Sequence, residues 1–472
     1  MLELQNKSVL VLGLGGRGQA ACELLSRVGA RVVGVDSQDT AELRASAAAL
    51  RGLGVEALLG ASIPPRGEYN LAVVSPSVRA ESKLLQAVRA LEVPMVSELE
   101  LGAQAANCLN LAITGTNGKS TTADLVERML AHNHRKTVIA GHRAQPLCAV
   151  AERTKELDFV IIKADSFQLE NTEFFRPAVG VLLNLAAAHL DRYPTPAEYA
   201  QAYARLFRHQ QAFDWAIIQS EALARLKELA LPVPGKTITF SANDSTADVY
   251  LDRGLLLSRL PNWPGPLLDM DQCLIRGPHN AENMMAALAV GHVLRLPLER
   301  MVEPLKTYAG APHRCEIIGE FDGVQFINDA KASNVDALHK ALLGARPGTA
   351  GQANIWLIAG GKDQGLDFHD VGPTLSKRVK GAFLLGEAAE KIRAAWSLFT
   401  PCNVNASLLE AVAEAAKSAV SGDVVLFSPA CPSFDQFRNY QQRGESFCQM
   451  VKSTYGGGPT ASPNIHGKKP QS

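Results

Sequence analysis

No two cysteines of this chain stand at C-x-x-C or any other metal spacing. The eight (Cys22, Cys108, Cys148, Cys273, Cys315, Cys402, Cys431, Cys448) are scattered singly. Their spacing argues against a zinc module or a disulfide scaffold and predicts reduced, mostly buried thiols. Net charge is missing as well: Lys+Arg and Asp+Glu number 47 each, so no field draws the chain to nucleic acid or an anionic membrane. The first strand-like run, SVLVLGLGG, is too short and too glycine-interrupted for a signal peptide or membrane span. A cytoplasmic protein is expected. There is no internal repeat, and 472 residues exceed one core, which predicts roughly two to four domains.

What is present is a rhythm of short apolar runs alternating with helical stretches. KSVLVLG (7–13), RVVGVD (31–36) and NLAVVSPS (70–77) alternate with helical patterns, the second of them over 40–53. A second unit begins near SELEL (97–101) and contains LDFVIIKAD (157–165) and AVGVLLNLA (178–186), then a proline-rich patch at 260–272. A third starts near APHRCE (311–316) and carries VQFIND, NIWLIAGG, GAFLLGE and VVLFSPA. The pattern predicts an α/β fold of three domains (1–97, 98–311 and 312–455), each built on a parallel sheet with its ligand at the strands' carboxyl ends. The tail 456–472 has no apolar period and is expected to be disordered.

Two glycine loops carry the chemistry. GLGGRG (13–18) follows a strand, precedes a helix and is followed by Asp36 at the end of the next strand. Bare glycines let backbone approach a diphosphate at a helix N-terminus, but the motif does not choose a nucleotide. A nicotinamide dehydrogenase and a ligand-free tight turn both stay open. GTNGKSTT (115–122) is more specific: Gly115 and Gly118 free backbone N–H groups around phosphate oxygens, Lys119 reaches the β/γ-phosphates, and Ser120 or Thr121 offers a hydroxyl to Mg²⁺. Ile113 stands where a strict P-loop has glycine, so the loop is a variant.

With VLGLGGRG, GTNGKSTT, DSFQLE, HLDRYP, GPHNAEN, PHRCE, INDAKASN and SPACPSFDQFRNYQQRGESF in this order, the chain resembles the Mur ligases over residues 5–452, most closely their D-glutamate-adding members. The resemblance implies a UDP-binding Rossmann-like first domain, a central ATP-binding domain and a Rossmann-like C-terminal domain. The reaction it implies is ATP-dependent: the carboxylate of UDP-N-acetylmuramoyl-L-alanine becomes an acyl phosphate, and D-glutamate displaces the phosphate. Two Mg²⁺ ions would neutralise the approach of one anion to another. On this likeness ATP would be held by Gly115, Thr116, Asn117, Gly118, Lys119, Ser120, Thr121, Asn280, Arg314 and Asp329. The UDP substrate would lie on Gly13, Gly15, Gly16, Asp36 and Ser75, and D-glutamate by Lys331, Ser333, Ser433 and Phe434. Lys119 and His189 would be catalytic, with Ser120 and His189 toward metal, in a monomer. Asp329 could instead cap the helix after IND, and His313 could be a packed loop histidine.

Several family positions are substituted. Lys163 stands where the family has a metal-binding glutamate, with Asp165 nearby as a stand-in, and Ala188 replaces an aspartate before His189. Tyr203 occupies the place of a lysine that carbamylation converts to a carboxylate, and no lysine occurs between Lys163 and Lys227. GHRA (141–144) replaces G-N-I-G, putting His142 at the asparagine, while Gln364 replaces a basic residue after AGGKD and Ser77 a glycine. The phosphate site is thereby about four charge units more positive, each worth about 4 kcal/mol at 4 Å and an effective dielectric near 20. That disfavours Mg²⁺ without disfavouring nucleotide. Two outcomes follow: a working ligase with displaced metal ligands, or a relative that binds nucleotide or UDP-sugar without turnover.

Overall fold

Runs such as Val9–Leu12 and Leu71–Val74 are buried at every residue, as strands of a parallel sheet covered on both faces must be. The computed structural model describes residues 3–79, 81–142, 144–186 and 192–455. The predicted tail, Ala188 and His189 lie outside them.

The first sheet comprises β1 (Ser8–Leu12), β2 (Arg31–Val35), β3 (Glu56–Leu58), β4 (Leu71–Val74) and β5 (Met95–Ser97), in the order β3-β2-β1-β4-β5 and parallel throughout. Its order reverses beside β1, so the crevice at the carboxyl ends falls on the Gly13–Gly18 loop.

The second sheet contains β6 (Leu109–Thr114), β7 (Thr137–Ala140), β8 (Phe159–Lys163), β9 (Val179–Leu182), β10 (Trp215–Gln219), β11 (Lys236–Ser241), β12 (Val249–Asp252), β13 (Leu255–Ser258) and β14 (Gly265–Asp269). Its order is β14-β13-β12-β11-β10-β9-β6-β8-β7. Helices Lys119–His132 and Pro278–Val293 pack on it through Leu125, Val126, Met129, Met284, Met285 and Leu288, all fully buried. The expectation of a parallel sheet fails at this edge, where β12, β13 and β14 are antiparallel. Residues 260–272 are not merely a proline-rich connection, because β14 lies within them.

The third sheet, β15 (Glu316–Phe321), β16 (Val324–Asn328), β17 (Ile355–Gly360), β18 (Val379–Leu385), β19 (Cys402–Val404) and β20 (Val424–Phe427), runs β15-β16-β20-β17-β18-β19. It too departs from the parallel expectation at one edge. Asp322 (φ +50°) and Gly323 (φ +76°) close an antiparallel β15–β16 hairpin, for which Asp-Gly is the favoured two-residue turn.

The first two sheets belong to one compact unit ending at Ala309, and the third belongs to a second unit from Gly310 onward. All eight cysteines are free, but only Cys22, Cys148, Cys273 and Cys431 are buried; the other four are half-buried. Among the described residues, no helix is long and apolar enough to cross a membrane.

Candidate functional site

In the first unit, the turn after β6 is held open as a cradle. Gly115 (φ +134°) and Gly118 (φ +91°) take conformations that L side chains rarely adopt, and Gly118 ends on the first turn of the helix beginning at Lys119. A Cβ on Gly118 would overlap Asn283 Oδ1. Asn184 clasps the turn from β9: its Oδ1 accepts from Asn117 N (2.9 Å) and its Nδ2 donates to Asn117 O (3.1 Å). Thr116 N donates to Asn184 O (3.1 Å), and Thr116 Oγ1 accepts from Ala186 N (3.0 Å). Lys119 Nζ folds back over the turn onto Gly115 O (2.6 Å) and pairs with Asp165 Oδ1 at 3.3 Å. A loop of unoccluded glycine backbone, a helix N-terminus and a lysine fit a polyphosphate.

The GLGGRG loop is built differently. Asp36 Oδ2 accepts from Leu14 N (2.8 Å) and Oδ1 from Gln38 N (2.9 Å), so this carboxylate fastens its own loop. Gly18 allows the helix to press on the strand end, since a Cβ there would overlap Gly13 O. Ser75 Oγ lies 3.0 Å from Ser77 Oγ beside Gly13, and Gly15 precedes the helix that starts at Gly16.

Arg17, in the same loop, crosses to the second sheet. Its Nη2 donates to Gly141 O (3.2 Å) and Gln168 Oε1 (3.3 Å) and lies 3.8 Å from Asp165 Oδ2. Asp165 therefore stands between Arg17 and Lys119, and it also caps the helix Ser166–Leu169 in a capping box with Gln168. Asp165→Asn keeps a capping oxygen while removing the charge. The expected result is a stability change below about 1 kcal/mol in thermal melts, because these ion pairs are part-exposed, and a few-fold tighter nucleotide affinity by titration.

The substituted positions of the first unit gather around this loop. Lys163 ends β8, in register with Ile113 of β6, and its Nζ is 3.4 Å from Ser120 Oγ. Tyr203 is 2% exposed, and burial, then Tyr199, pushes its phenol well above the usual range. Its Oη lies 2.9 Å from Tyr199 Oη, which in turn lies 3.2 Å from Thr116 Oγ1. A neutral phenol in a closed network cannot replace a carboxylate. His142 forms an isolated bridge with Gln145. Asn280 accepts from Asn283 Nδ2 (3.2 Å) at the start of the helix that abuts Gly118.

These residues do not fit Mg²⁺, which needs hard oxygen ligands in near-octahedral array. Asp165 faces two cations, an ammonium stands on the Ser120 hydroxyl, and no described residues of the first unit form a His/Cys/Asp/Glu group of metal-ligand spacing.

In the second unit, Asp329 does not cap the following helix, whose cap is Asn334. It is buried, and its oxygens accept from Ser428 Oγ (2.8 Å) and Cys315 N (3.2 Å). Burial pushes its carboxyl up to about 7, against the pull of these bonds and of Arg314. His313 reads as the packed alternative: its ring lies against Gly444, with Nδ1 2.9 Å from Asn328 Nδ2. Lys331 Nζ sits 4.6 Å over the Tyr440 ring. Ser433 is buried while Ser333 and Phe434 are exposed. Gln364 follows Asp363, which accepts from Lys391 Nζ at 3.2 Å.

Arg17, Asn184, Gln168, Tyr199 and Asn283 were not singled out by sequence reasoning. Only the proximity of Arg17 to the glycine motif offered a signal.

The Mur ligase middle-domain model matches residues 113–291, and the Mur ligase glutamate ligase domain model matches 313–431. The UDP-N-acetylmuramoylalanine–D-glutamate ligase of Acidobacterium capsulatum is 36% identical over 455 residues, covering 95% of this chain and 97% of that protein. The chain belongs to the Mur ligase family. Its Desulfitobacterium hafniense (strain Y51) relative of the same name is also 36% identical, over 96% of this chain and 99% of its own. Among solved structures, the Mur ligase fold recurs in MurF of Thermotoga maritima in complex with ADP (TM-score 0.60, 16% identity, 96% of each chain). It recurs again in MurC of the same organism (TM-score 0.58, 18% identity, 95% of this chain and 100% of that one).

Proposed function

We propose that this Mur ligase takes ATP and UDP-N-acetylmuramoyl-L-alanine and belongs to the branch that adds D-glutamate during peptidoglycan precursor synthesis in the cytoplasm. The observation that carries the reading is the phosphate cradle at Gly115–Thr121, in a chain that aligns almost end to end with D-glutamate ligases. Lys119, the backbone of Thr116–Thr121 and Asn280 would hold the nucleotide, with Arg314 and Asp329 as further candidates. Gly13, Gly15, Gly16 and Ser75 would meet the UDP group, while Asp36 would act through the loop it fastens. Lys331, Ser333, Ser433 and Phe434 are the candidates toward D-glutamate. ATP would supply the phosphoryl group that makes the carboxyl a good acyl donor. This chain's residues supply orientation and positive charge.

A second reading, nucleotide or UDP-sugar binding without turnover, is favoured by Tyr203: its place is filled by a buried neutral phenol inside a closed hydroxyl network. One assay separates the two. Purified chain with ATP, Mg²⁺, UDP-N-acetylmuramoyl-L-alanine and labelled D-glutamate yields labelled amide and ADP on the first reading. On the second, a titration shows nucleotide binding while no amide forms. Absence of both binding and product sinks both.

A further inference from the structure

In P-loop sites the hydroxyl after the lysine, together with a carboxylate from a neighbouring strand, holds Mg²⁺ against the phosphates. Here the hydroxyl is that of Ser120, and the neighbouring strand, β8, ends on Lys163. Its ammonium lies 3.4 Å from Ser120 Oγ, at a half-buried position. The acids that could recruit a divalent ion are otherwise engaged. Asp165 faces Lys119 Nζ (3.3 Å) and Arg17 Nη2 (3.8 Å), and Asp124 accepts from Tyr308 Oη (3.0 Å). Glu127, on the same helix as Ser120, feels Lys163 as an attractive charge. A divalent cation placed on Ser120 would meet a positive charge where it requires oxygen donors.

Monovalent positive charge at that hydroxyl is nonetheless what a phosphate tail requires. We propose that Lys163 is a built-in counter-ion, so that this chain binds ADP and ATP through Lys119 and Lys163 without Mg²⁺. The inference rests on the nucleotide reading of the glycine cradle and deepens it, by naming the ligand as the metal-free nucleotide. It also gives the Glu-to-Lys replacement a physical role. The lysine contributes part of the charge that the ion would have brought and removes the site's ability to hold the ion.

The test is calorimetric titration of the full-length chain with ADP and with ATP, in EDTA and in Mg²⁺, at matched ionic strength because screening alters such contacts. Affinity in EDTA should equal or exceed that in Mg²⁺. Lys163→Met, which keeps the stem and loses the charge, should bind at least about tenfold more weakly in EDTA. Lys163→Glu should bind well only when Mg²⁺ is present. A wild-type affinity that Mg²⁺ raises tenfold or more overturns the proposal and leaves the nucleotide reading standing. Undiminished binding by Lys163→Met in EDTA overturns it equally. No binding in either buffer overturns the proposal and the nucleotide reading together. The wild-type comparison needs no variant, so misfolding cannot mask the outcome.

Discussion

Gly118→Ala is expected to abolish the nucleotide response while leaving a weakened but folded protein. At φ +91° an alanine pays about 1–2 kcal/mol for the left-handed conformation alone. Its Cβ would also overlap Asn283 Oδ1 and touch Leu183 Cδ1 at 3.1 Å. Asn283 has little freedom to retreat, because its Oδ1 accepts from Thr122 Oγ1 (3.2 Å) and its Nδ2 donates to Asn280. The turn must therefore shift, which moves the N–H groups that would surround phosphate. A loss of about 3 kcal/mol in chemical denaturation and at least a hundredfold weaker ADP binding are expected. Gly15→Ala is the control: its φ of −63° suits any residue and nothing lies within 4 Å of a new Cβ, so its stability change should stay within about 0.5 kcal/mol. Nucleotide affinity within threefold of wild type in Gly118→Ala would show that the cradle is not where phosphate sits.

Asp329→Asn should flatten the acid-to-neutral stability profile. The Asp329 carboxyl titrates near 7 in the folded chain because burial penalises its charge, against an ordinary value of 3.8. A carboxyl raised on folding contributes stability that is fully present below the unfolded value and lost as pH climbs to the folded value. Stability should therefore fall between pH 4 and 7 and level off above, with Asp329 accounting for about 4 kcal/mol at most. Asparagine reproduces the protonated form: Oδ1 still accepts from Cys315 N, and Nδ2 can donate to Ser428 Oγ. The variant should match wild type at pH 4 and exceed it by a few kcal/mol at pH 8 in urea melts. Parallel profiles for the two proteins would assign the titration to another group.

The sequence made the phosphate loop readable because its parts are local: Gly115, Gly118 and Lys119 lie within five residues, between a strand and a helix. Lys163 was readable as a substitution, but its position on the Ser120 hydroxyl was not, since the β6–β8 pairing joins segments 50 residues apart. Asn184 and Arg17 were illegible for the same reason. Asn184 grips Asn117 from 67 residues away, and Arg17 reaches Gly141 across 124. Sheet edges were lost for another reason. Leu255–Ser258 pairs with Gly265–Asp269 through a register shift at Leu256/Leu257, which breaks the alternation that marks a half-buried strand. Asp329 shows the converse error. Its place after a strand and before a helix suggested a cap, whereas five residues intervene before the helix begins at Val335, and the real cap, Asn334, lies next to it.

Arg17 belongs to a segment usually thought of as exchangeable, the nucleotide-fold front of a modular chain. Its guanidinium finds its acceptors, Gly141 O and Gln168 Oε1, on the other side of the sheet boundary, and its Nε is buried with no acceptor of its own. A chimera that swaps the first hundred residues for those of a cousin must import both ends of that clasp, or leave Gln168 and a carbonyl facing a misfitted graft.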